Sequence, residues 1–216
     1  MKALLLKDYY MIRKYCRVQL IITLVFILSY ALGGADNMSI FFLVYPVITA
    51  SLIPYTMLAY EEKDKWDVYA RSLPFSVRDL VAEKYLLGLI MIAAVCALLT
   101  AGCPLFGLLP GNTPYSTASH LYRTLKLLPA VTAVGLAYQS LMMPAIFRFG
   151  VEKGRYIYLG LMALLFAVIV ALQEDLAQTI LLHSSGVKLW AIFPVFLVLY
   201  GLSFLISCHI YAKREL

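Results

Sequence analysis

The sequence predicts an all-α membrane protein with six transmembrane helices and with both termini in the cytoplasm. Its 216 residues are 62% hydrophobic and only 14% charged, whereas a soluble globular domain carries about 25% charged residues. A spanning helix needs about 20 mostly apolar residues. The uncharged stretches that meet this need are 18–35, 37–60, 85–122, 127–147, 156–173 and 189–212. We therefore expect one membrane domain covering residues 1–216.

The third uncharged stretch is longer than one span requires. It contains Pro104, Pro110, Gly111 and Pro114, and the Gly-Asn-Thr-Pro run that starts at Gly111 is a strong turn signal. The third span is therefore expected to end near these residues, and the rest of the stretch is expected to form an exposed loop.

Two prolines, Pro46 and Pro54, lie inside the second predicted span. Proline removes a backbone hydrogen bond and can kink a helix. Membrane helices also tolerate proline where neighbouring groups satisfy the freed carbonyl. The sequence leaves both interpretations open for these two positions.

Basic residues are concentrated in alternate loops, which sets the orientation. Cytoplasmic loops carry an excess of Lys and Arg close to the span ends. Fifteen of the 18 basic residues lie before the first span, between the second and third, between the fourth and fifth, or after the sixth. These segments are predicted to be cytoplasmic. Their charge is expected to face anionic lipid headgroups, so a nucleic-acid partner is not needed to explain it.

Residues 1–17 are predicted to form an amphipathic helix at the membrane interface. On a helical wheel the basic side chains share one arc and the apolar side chains lie mostly opposite, with Asp8 as the exception. Such a segregated apolar face is typical of a helix lying in the headgroup plane. A basic flank that only orients the first span is the alternative. The basic residues of this interfacial helix are Lys2, Lys7, Arg13, Lys14 and Arg17.

The cytoplasmic segment 61–84 is too long to be a simple turn between two helices. An apolar face at i, i+3, i+4 and i+7 predicts a short helix, formed by Trp66, Tyr69, Ala70 and Leu73. Pro74 is expected to end it, and Ser76 with Asp79 forms a capping-box pattern that starts a second helix. This unit either packs against its own bundle or is exposed as a docking surface for a partner.

Other functional classes receive little support from the sequence. The scattered cysteines, Cys16, Cys96, Cys103 and Cys208, form no CxxC pair and are expected to be free, buried thiols. The three histidines show no catalytic or metal-binding pattern, so an enzyme is not expected. The centres of the spans lack the charged residues of an ion-coupled carrier. Gln139 in the fourth span is interpreted as a contact between helices.

Three features together point to a known family. They are the N-terminal Met-Lys-Ala-Leu-Leu-Leu-Lys-Asp, the six predicted spans, and the run Glu-Lys-Asp-Lys-Trp-Asp-Val-Tyr-Ala-Arg-Ser-Leu-Pro that starts at Glu62. They resemble the permease subunits of ABC-2 type ABC transporters, most of all the small bacterial permeases of peptide and bacteriocin-type exporters. The resemblance covers the whole chain in topology, whereas its specific motif is confined to the loop.

The resemblance implies a transmembrane permease of an ATP-driven exporter in a bacterial inner membrane. In that family the N-terminal amphipathic segment is an elbow helix, and the loop after the second span holds a coupling helix that inserts into an ATPase subunit. A second permease, identical or paralogous, and two ATPase subunits would complete the transporter. ATP and Mg²⁺ would bind to the ATPase, since this sequence has no GxxxxGK[ST] motif. The implied coupling residues are Asp64, Lys65, Trp66, Asp67, Tyr69, Arg71, Ser72 and Leu73.

The apolar spans favour a hydrophobic or amphipathic substrate, such as a peptide or a lipid-like molecule, although a permease–permease interface would have the same character. No catalytic, cofactor or metal site is expected on this chain. The alternative is a stand-alone six-helix carrier or assembly factor, in which the Trp66 loop packs only against its own bundle and no ATPase binds.

Overall fold

The computed structural model describes residues 2–37, 40–66, 69–70, 76–106, 114–172 and 186–213. All regular secondary structure in these ranges is α-helical, which confirms the predicted fold class. The helices are α1 (Lys2–Tyr15), α2 (Arg17–Asn37), α3 (Ile40–Ser51), α4 (Ile53–Lys63), α5 (Val77–Phe106), α6 (Pro114–Leu172) and α7 (Gly186–Lys213).

Several of these helices are long and apolar enough to cross a bilayer. Within the described residues four candidate spans are Phe41–Lys63, Val77–Leu105, Thr117–Ile157 and Phe193–Lys213. The bent pair α1–α2 supplies a fifth if it is counted as one span. The chain is therefore a multi-pass membrane protein. The total of six spans and the position of the termini stay predictions, since the predicted fifth span reaches Gln173, outside the described ranges.

The hydrophobic core lies between α3, α5 and α6. Its fully buried side chains include Leu43, Val47, Val81, Leu99, Leu136 and Met143. Helix α7 instead exposes a long row of apolar side chains, among them Leu197, Val198, Leu202, Leu205 and Ile206. Such a row suits contact with lipid, because hydrocarbon is the one solvent in which exposed apolar side chains cost nothing.

Helix α1 folds back sharply from α2. The segments Leu6–Tyr15 and Arg17–Leu32 meet at an angle of 78°. Leu4 and Ile12, on one face of α1, and Cys16, directly after the helix, are buried against the bundle. A helix at this angle to the first span has the shape predicted for an interfacial helix, and its contact with lipid stays a prediction.

The second predicted span has a local irregularity at Leu52, where the backbone stays in the α-helical region (φ −84°, ψ −15°) and Phe41–Lys63 remains one candidate span. Helix α3 ends at Ser51 and α4 starts at Ile53, with Pro54 in the first turn of α4. Pro54 has no N–H for the carbonyl four residues earlier, and its ring clashes with that carbonyl. Pro46 lies inside α3 without a break. Of the two prolines, Pro54 is therefore the one that lies beside the irregularity, and neither proline breaks the candidate span.

Hydroxyl groups within the spans bond to their own helix or to a neighbouring helix. The Thr49 hydroxyl donates to the Pro46 carbonyl at 2.8 Å. The Thr23 and Thr49 hydroxyls lie 2.9 Å apart and join α2 to α3. The hydroxyls of Tyr30 and Thr124 lie 2.8 Å apart and join α2 to α6. Interhelical hydrogen bonds of this kind help to hold membrane helices together.

Helix α6 is divided at Gly150, whose φ of 78° and ψ of 171° are not helical. Glycine adopts a positive φ without the steric cost that a Cβ would impose. The break separates a first arm, residues 114–149, from a second arm, residues 151–172. These arms contain the predicted fourth span and most of the predicted fifth span.

The four cysteines are free, as predicted, and all but the partly exposed Cys208 are buried. Burial raises the pKa of the Cys16 thiol to about 11. Cys16 is therefore protonated at neutral pH and poorly nucleophilic. Across the described ranges, no group of His, Cys, Asp and Glu has the geometry to hold a metal ion.

Candidate functional site

Five charged side chains form an ion cluster where α1, α4 and α5 meet. They are Lys7, Asp8, Glu61, Glu83 and Lys84. The Lys84 ammonium lies 2.9 Å from Asp8 Oδ2 and 2.7 Å from Glu61 Oε1. The Lys7 ammonium contacts Glu61 and lies 3.3 Å from Asp8 Oδ1. All members except Lys7 have side chains that are 4% exposed or less, so the cluster is shielded from water.

Burial makes the pairing within the ion cluster essential. Moving a charged side chain out of water costs on the order of several kcal/mol, unless an opposite charge and hydrogen bonds replace the solvent. Lys84 donates to both oxygens of Asp8 and to Glu61, which uses the three donors of its ammonium group. Glu83 Oε1 lies 3.7 Å from the Lys7 nitrogen and 3.8 Å from the Lys84 nitrogen. Glu83 is therefore paired electrostatically, without a hydrogen bond at this oxygen.

Trp66 connects the ion cluster to the loop after α4. The Lys7 ammonium lies 4.3 Å from the centroid of the Trp66 ring, a cation–π contact. The Trp66 ring is 5.3 Å from the ring of Tyr69, which is 57% exposed. A cavity of about 360 Å³ opens beside these rings, lined by Lys7, Met11, Glu61, Asp64, Trp66 and Tyr69.

Half of the predicted coupling residues can be placed. Asp64, Lys65, Trp66 and Tyr69 follow α4 directly, and we call them the loop surface. Asp64, Lys65 and Tyr69 are exposed and Trp66 is half-buried. Asp67, Arg71, Ser72 and Leu73 lie outside the described residues. Participation of all eight in coupling stays a prediction.

The predicted capping box at the start of α5 is confirmed. The Asp79 backbone N–H donates to Ser76 Oγ at 3.2 Å, and the Ser76 backbone N–H donates to Asp79 Oδ2 at 3.2 Å. This reciprocal pair satisfies two backbone donors that the first turn of a helix leaves open. Helix α5 therefore starts at Val77, seven residues before the lysine that centres the ion cluster.

The basic residues of the predicted interfacial helix, residues 1–17, divide into two groups. Lys7 joins the ion cluster, and its side chain is 21% exposed. Arg13, Lys14 and Arg17 are exposed, and the side chain of Lys2 lies outside the described part of the chain. Asp8, the acidic exception on this helix, is the fully buried partner of Lys84. The predicted contact of the exposed group with lipid headgroups is untested.

Glu62 ties the end of α4 to another helix. Its Oε2 accepts a hydrogen bond from the Val151 backbone N–H at 2.8 Å. Val151 follows Gly150 and begins the second arm of α6, where backbone N–H groups lack helical partners and a negative charge is favoured. Glu61 and Glu62 together therefore fix the end of α4 to α1, to α5 and to the second arm of α6.

The ion cluster was not predicted from the sequence, although one signal for it is present. Asp8 shares a helix face with Leu4, Ile12 and Cys16, at intervals of four residues. An acidic residue on a buried apolar face needs a cationic partner. The loop between the second and third spans supplies that partner, Lys84.

The left-handed backbone conformation at Lys65, within the loop surface, can be tested by substitution. This residue follows the C-cap residue Asp64 and has a φ of 53°, a left-handed conformation that costs a residue with a Cβ about 1 kcal/mol. We expect Lys65→Gly to leave stability unchanged or to raise it by about 1 kcal/mol, and Lys65→Val to lower it. Thermal unfolding in detergent measures both, and a less stable glycine variant would contradict the expectation.

Comparison with known proteins agrees with this architecture. The sequence matches the family described as ABC-2 family transporter protein over residues 3–212. Neither the curated proteins nor the solved structures gave a match. The matched region runs from α1 to the end of α7 and so contains both the ion cluster and the loop surface. The resemblance seen in the sequence is confirmed, and this chain belongs to the ABC-2 family of membrane transporter proteins.

Proposed function

We propose that this chain is the transmembrane permease subunit of an ATP-driven exporter and that a cytoplasmic ATPase docks on the loop surface. The observation that supports this most directly is the contact between Trp66 and Lys7. It joins an exposed, aromatic and charged segment to a buried ion cluster that touches three helices. A displacement of the loop surface would therefore be transmitted to the helix bundle, because the loop surface is not joined to the bundle by a flexible linker alone.

The ion cluster gives the coupling step a physical route. ATP binding closes the two ATPase subunits, and the loop surface moves with them. Glu61 and Lys84 hold α4 and α5 together at this end, so these two helices tilt as a pair. The Glu62 contact with Val151 carries the movement to the second arm of α6. The tilt opens a path between two permease copies.

The working assembly in this proposal holds two permeases, identical or paralogous, and two ATPase subunits. ATP and Mg²⁺ bind to the ATPases, and this chain has no catalytic role of its own. In this proposal the loop surface and both termini lie in the cytoplasm of a bacterial cell and the spans cross its inner membrane, and the alternation of basic loops supports this orientation. The apolar spans suit a hydrophobic or amphipathic peptide, or a lipid-like molecule, as substrate.

We expect Trp66→Ala/Tyr69→Ala to reduce capture of the ATPase by at least about tenfold, because interface aromatic residues often contribute about 2 kcal/mol or more. The measurement is co-purification from native membranes after gentle extraction, with the amount of ATPase quantified per permease. Tyr115→Ala/Tyr122→Ala is the matched control. These tyrosines are 84% and 68% exposed and are predicted to lie on the outer side, so capture should be unchanged.

Two further comparisons separate docking from loss of structure. Tyr69→Ala alone removes an exposed ring and leaves the contact between Lys7 and Trp66, so reduced capture by this variant indicates docking. Lys65→Gly removes an exposed side chain of the loop surface without straining the backbone, so reduced capture by this variant also indicates docking. Full capture by a folded Trp66→Ala/Tyr69→Ala variant would place docking elsewhere. If natively folded wild type captures no ATPase, the stand-alone carrier or assembly factor is favoured.

A further inference from the structure

A second charged region lies between the first arm of α6 and the end of α7. A cavity of about 490 Å³ is lined there by Phe147, Arg148, His209, Ile210 and Lys213. Arg148, His209 and Lys213 are exposed. None of these three forms an ion pair with a carboxylate in the described part of the chain. The cavity is therefore an open, positively charged groove, and we call it the basic groove.

The side chains of the basic groove suit a phosphate group. The Arg148 guanidinium offers several N–H donors in a planar fork that matches phosphate oxygens, and the Lys213 ammonium adds a mobile point charge. An N–H of the His209 imidazole can complete the set of donors. The described lining holds no acidic side chain that would repel an anion.

The remaining side chains that line the basic groove are apolar, and they favour a ligand that has a hydrocarbon part. Phe147 is buried and Ile210 is half-buried, so the groove has a hydrophobic floor next to its charged rim. Phe149, whose ring lies 5.3 Å from the Arg148 guanidinium, is 48% exposed. A free phosphate would use only the rim, whereas a molecule with a phosphate and a hydrocarbon part would use both.

The position of the groove matches the level of a lipid headgroup. The candidate span Phe193–Lys213 ends at Lys213, and the first arm of α6 ends directly after Arg148 and Phe149, at Gly150. The basic residues therefore lie at the ends of two apolar segments, on the predicted cytoplasmic side, where anionic phospholipids attract Lys and Arg.

We propose that the basic groove binds one anionic phospholipid, with Arg148 and Lys213 on its phosphate, His209 as an additional donor, and Ile210 and Phe147 beside its hydrocarbon part. The site is distinct from the loop surface and does not depend on an ATPase. It adds a specific lipid site to the general attraction of the basic loops for the membrane.

The test is retention of phosphatidylglycerol by the purified full chain, measured by native mass spectrometry after reconstitution in mixed phosphatidylcholine and phosphatidylglycerol. We expect Arg148→Gln/Lys213→Gln to retain about tenfold less phosphatidylglycerol than wild type, from the loss of two charge-assisted contacts with the bound phosphate. Lys153→Gln/Arg155→Gln is the matched control, because it removes two exposed basic residues from the second arm of α6. Its retention should equal that of wild type.

Three outcomes decide the proposal. Equal loss in the control variant, or no loss in Arg148→Gln/Lys213→Gln, would overturn it. Displacement of the lipid by millimolar inorganic phosphate would show that the groove recognises free phosphate and would also overturn the lipid assignment. His209→Gln, a single exposed substitution, should give a smaller loss. The unfolding temperature of the double variant in phosphatidylcholine alone shows whether it folds like wild type. If it does not, the His209→Gln variant is used to test the proposal instead.

Discussion

Replacing Lys84 with Met is expected to destabilise the folded protein by about 3–5 kcal/mol, the usual cost of breaking a buried ion pair from one side. The methionine fills a similar volume, so the loss is mainly electrostatic. Asp8 and Glu61 lose the ammonium group that lies within 3.0 Å of both. Lys7 then remains as the cation beside Asp8, Glu61 and Glu83 at the junction of α1, α4 and α5.

Thermal unfolding in detergent, followed by the loss of monodisperse protein, measures this effect. Lys63→Met is the control, because Lys63 is exposed at the end of α4, and a surface charge contributes little to stability. Adding Asp8→Asn and Glu61→Gln to Lys84→Met removes the stranded charges and should recover part of the stability. A Lys84→Met protein as stable as the Lys63→Met control would show that the ion cluster contributes nothing.

Gly88→Ala is expected to destabilise the bundle by about 1–3 kcal/mol, as overpacking of a filled core does. A Cβ at this position would overlap the amide group of Gln139, including Cδ, Oε1 and Nε2. The amide ends a flexible side chain, but Gln139 is only 1% exposed. Its displacement must therefore be taken up by packed neighbours between α5 and α6.

The control for this substitution is Gly201→Ala, because a Cβ there meets nothing within 4 Å. Alanine is the better helix former by about 1 kcal/mol, so this variant should be as stable as wild type or slightly more stable. The double variant Gly88→Ala/Gln139→Ala removes the overlapping amide and should recover most of the loss. If the Gly88→Ala and Gly201→Ala variants unfold at the same temperature, the result contradicts the close approach of α5 and α6 at Gly88.

Local patterns predicted the helices well, because each pattern depends on neighbours in the sequence. The capping box of Ser76 and Asp79 follows from backbone hydrogen bonding within one turn, whereas the sequence left open whether Pro46 and Pro54 kink the second span. Free cysteines and hydroxyls bonded to their own helix also follow from local chemistry. The family resemblance rested on a short run of the loop, and the match over residues 3–212 extends it to nearly the whole chain.

Features that join distant segments could not be predicted in the same way. Asp8 and Lys84 are 76 residues apart, and Lys7 and Glu61 are 54 residues apart, so no helical period relates them. The division of α6 at Gly150 lies in the predicted connector between the fourth span, which ends at residue 147, and the fifth, which starts at residue 156, although the sequence did not single out this glycine. Gln139 was expected to contact another helix, and it lies against Gly88 of α5. Its amide has no hydrogen-bond partner among the described residues.

The ion cluster also constrains the order in which the chain is built into a membrane. Asp8 leaves the ribosome long before Lys84 is synthesised, so α1 cannot take its final place until the first turns of α5 exist. Until then Asp8 and Glu61 have the Lys7 ammonium as their partner, which leaves one of the two negative charges without compensation, and such a charge is costly in apolar surroundings. We therefore expect the first two spans to reach their final packing only after Lys84 has been synthesised.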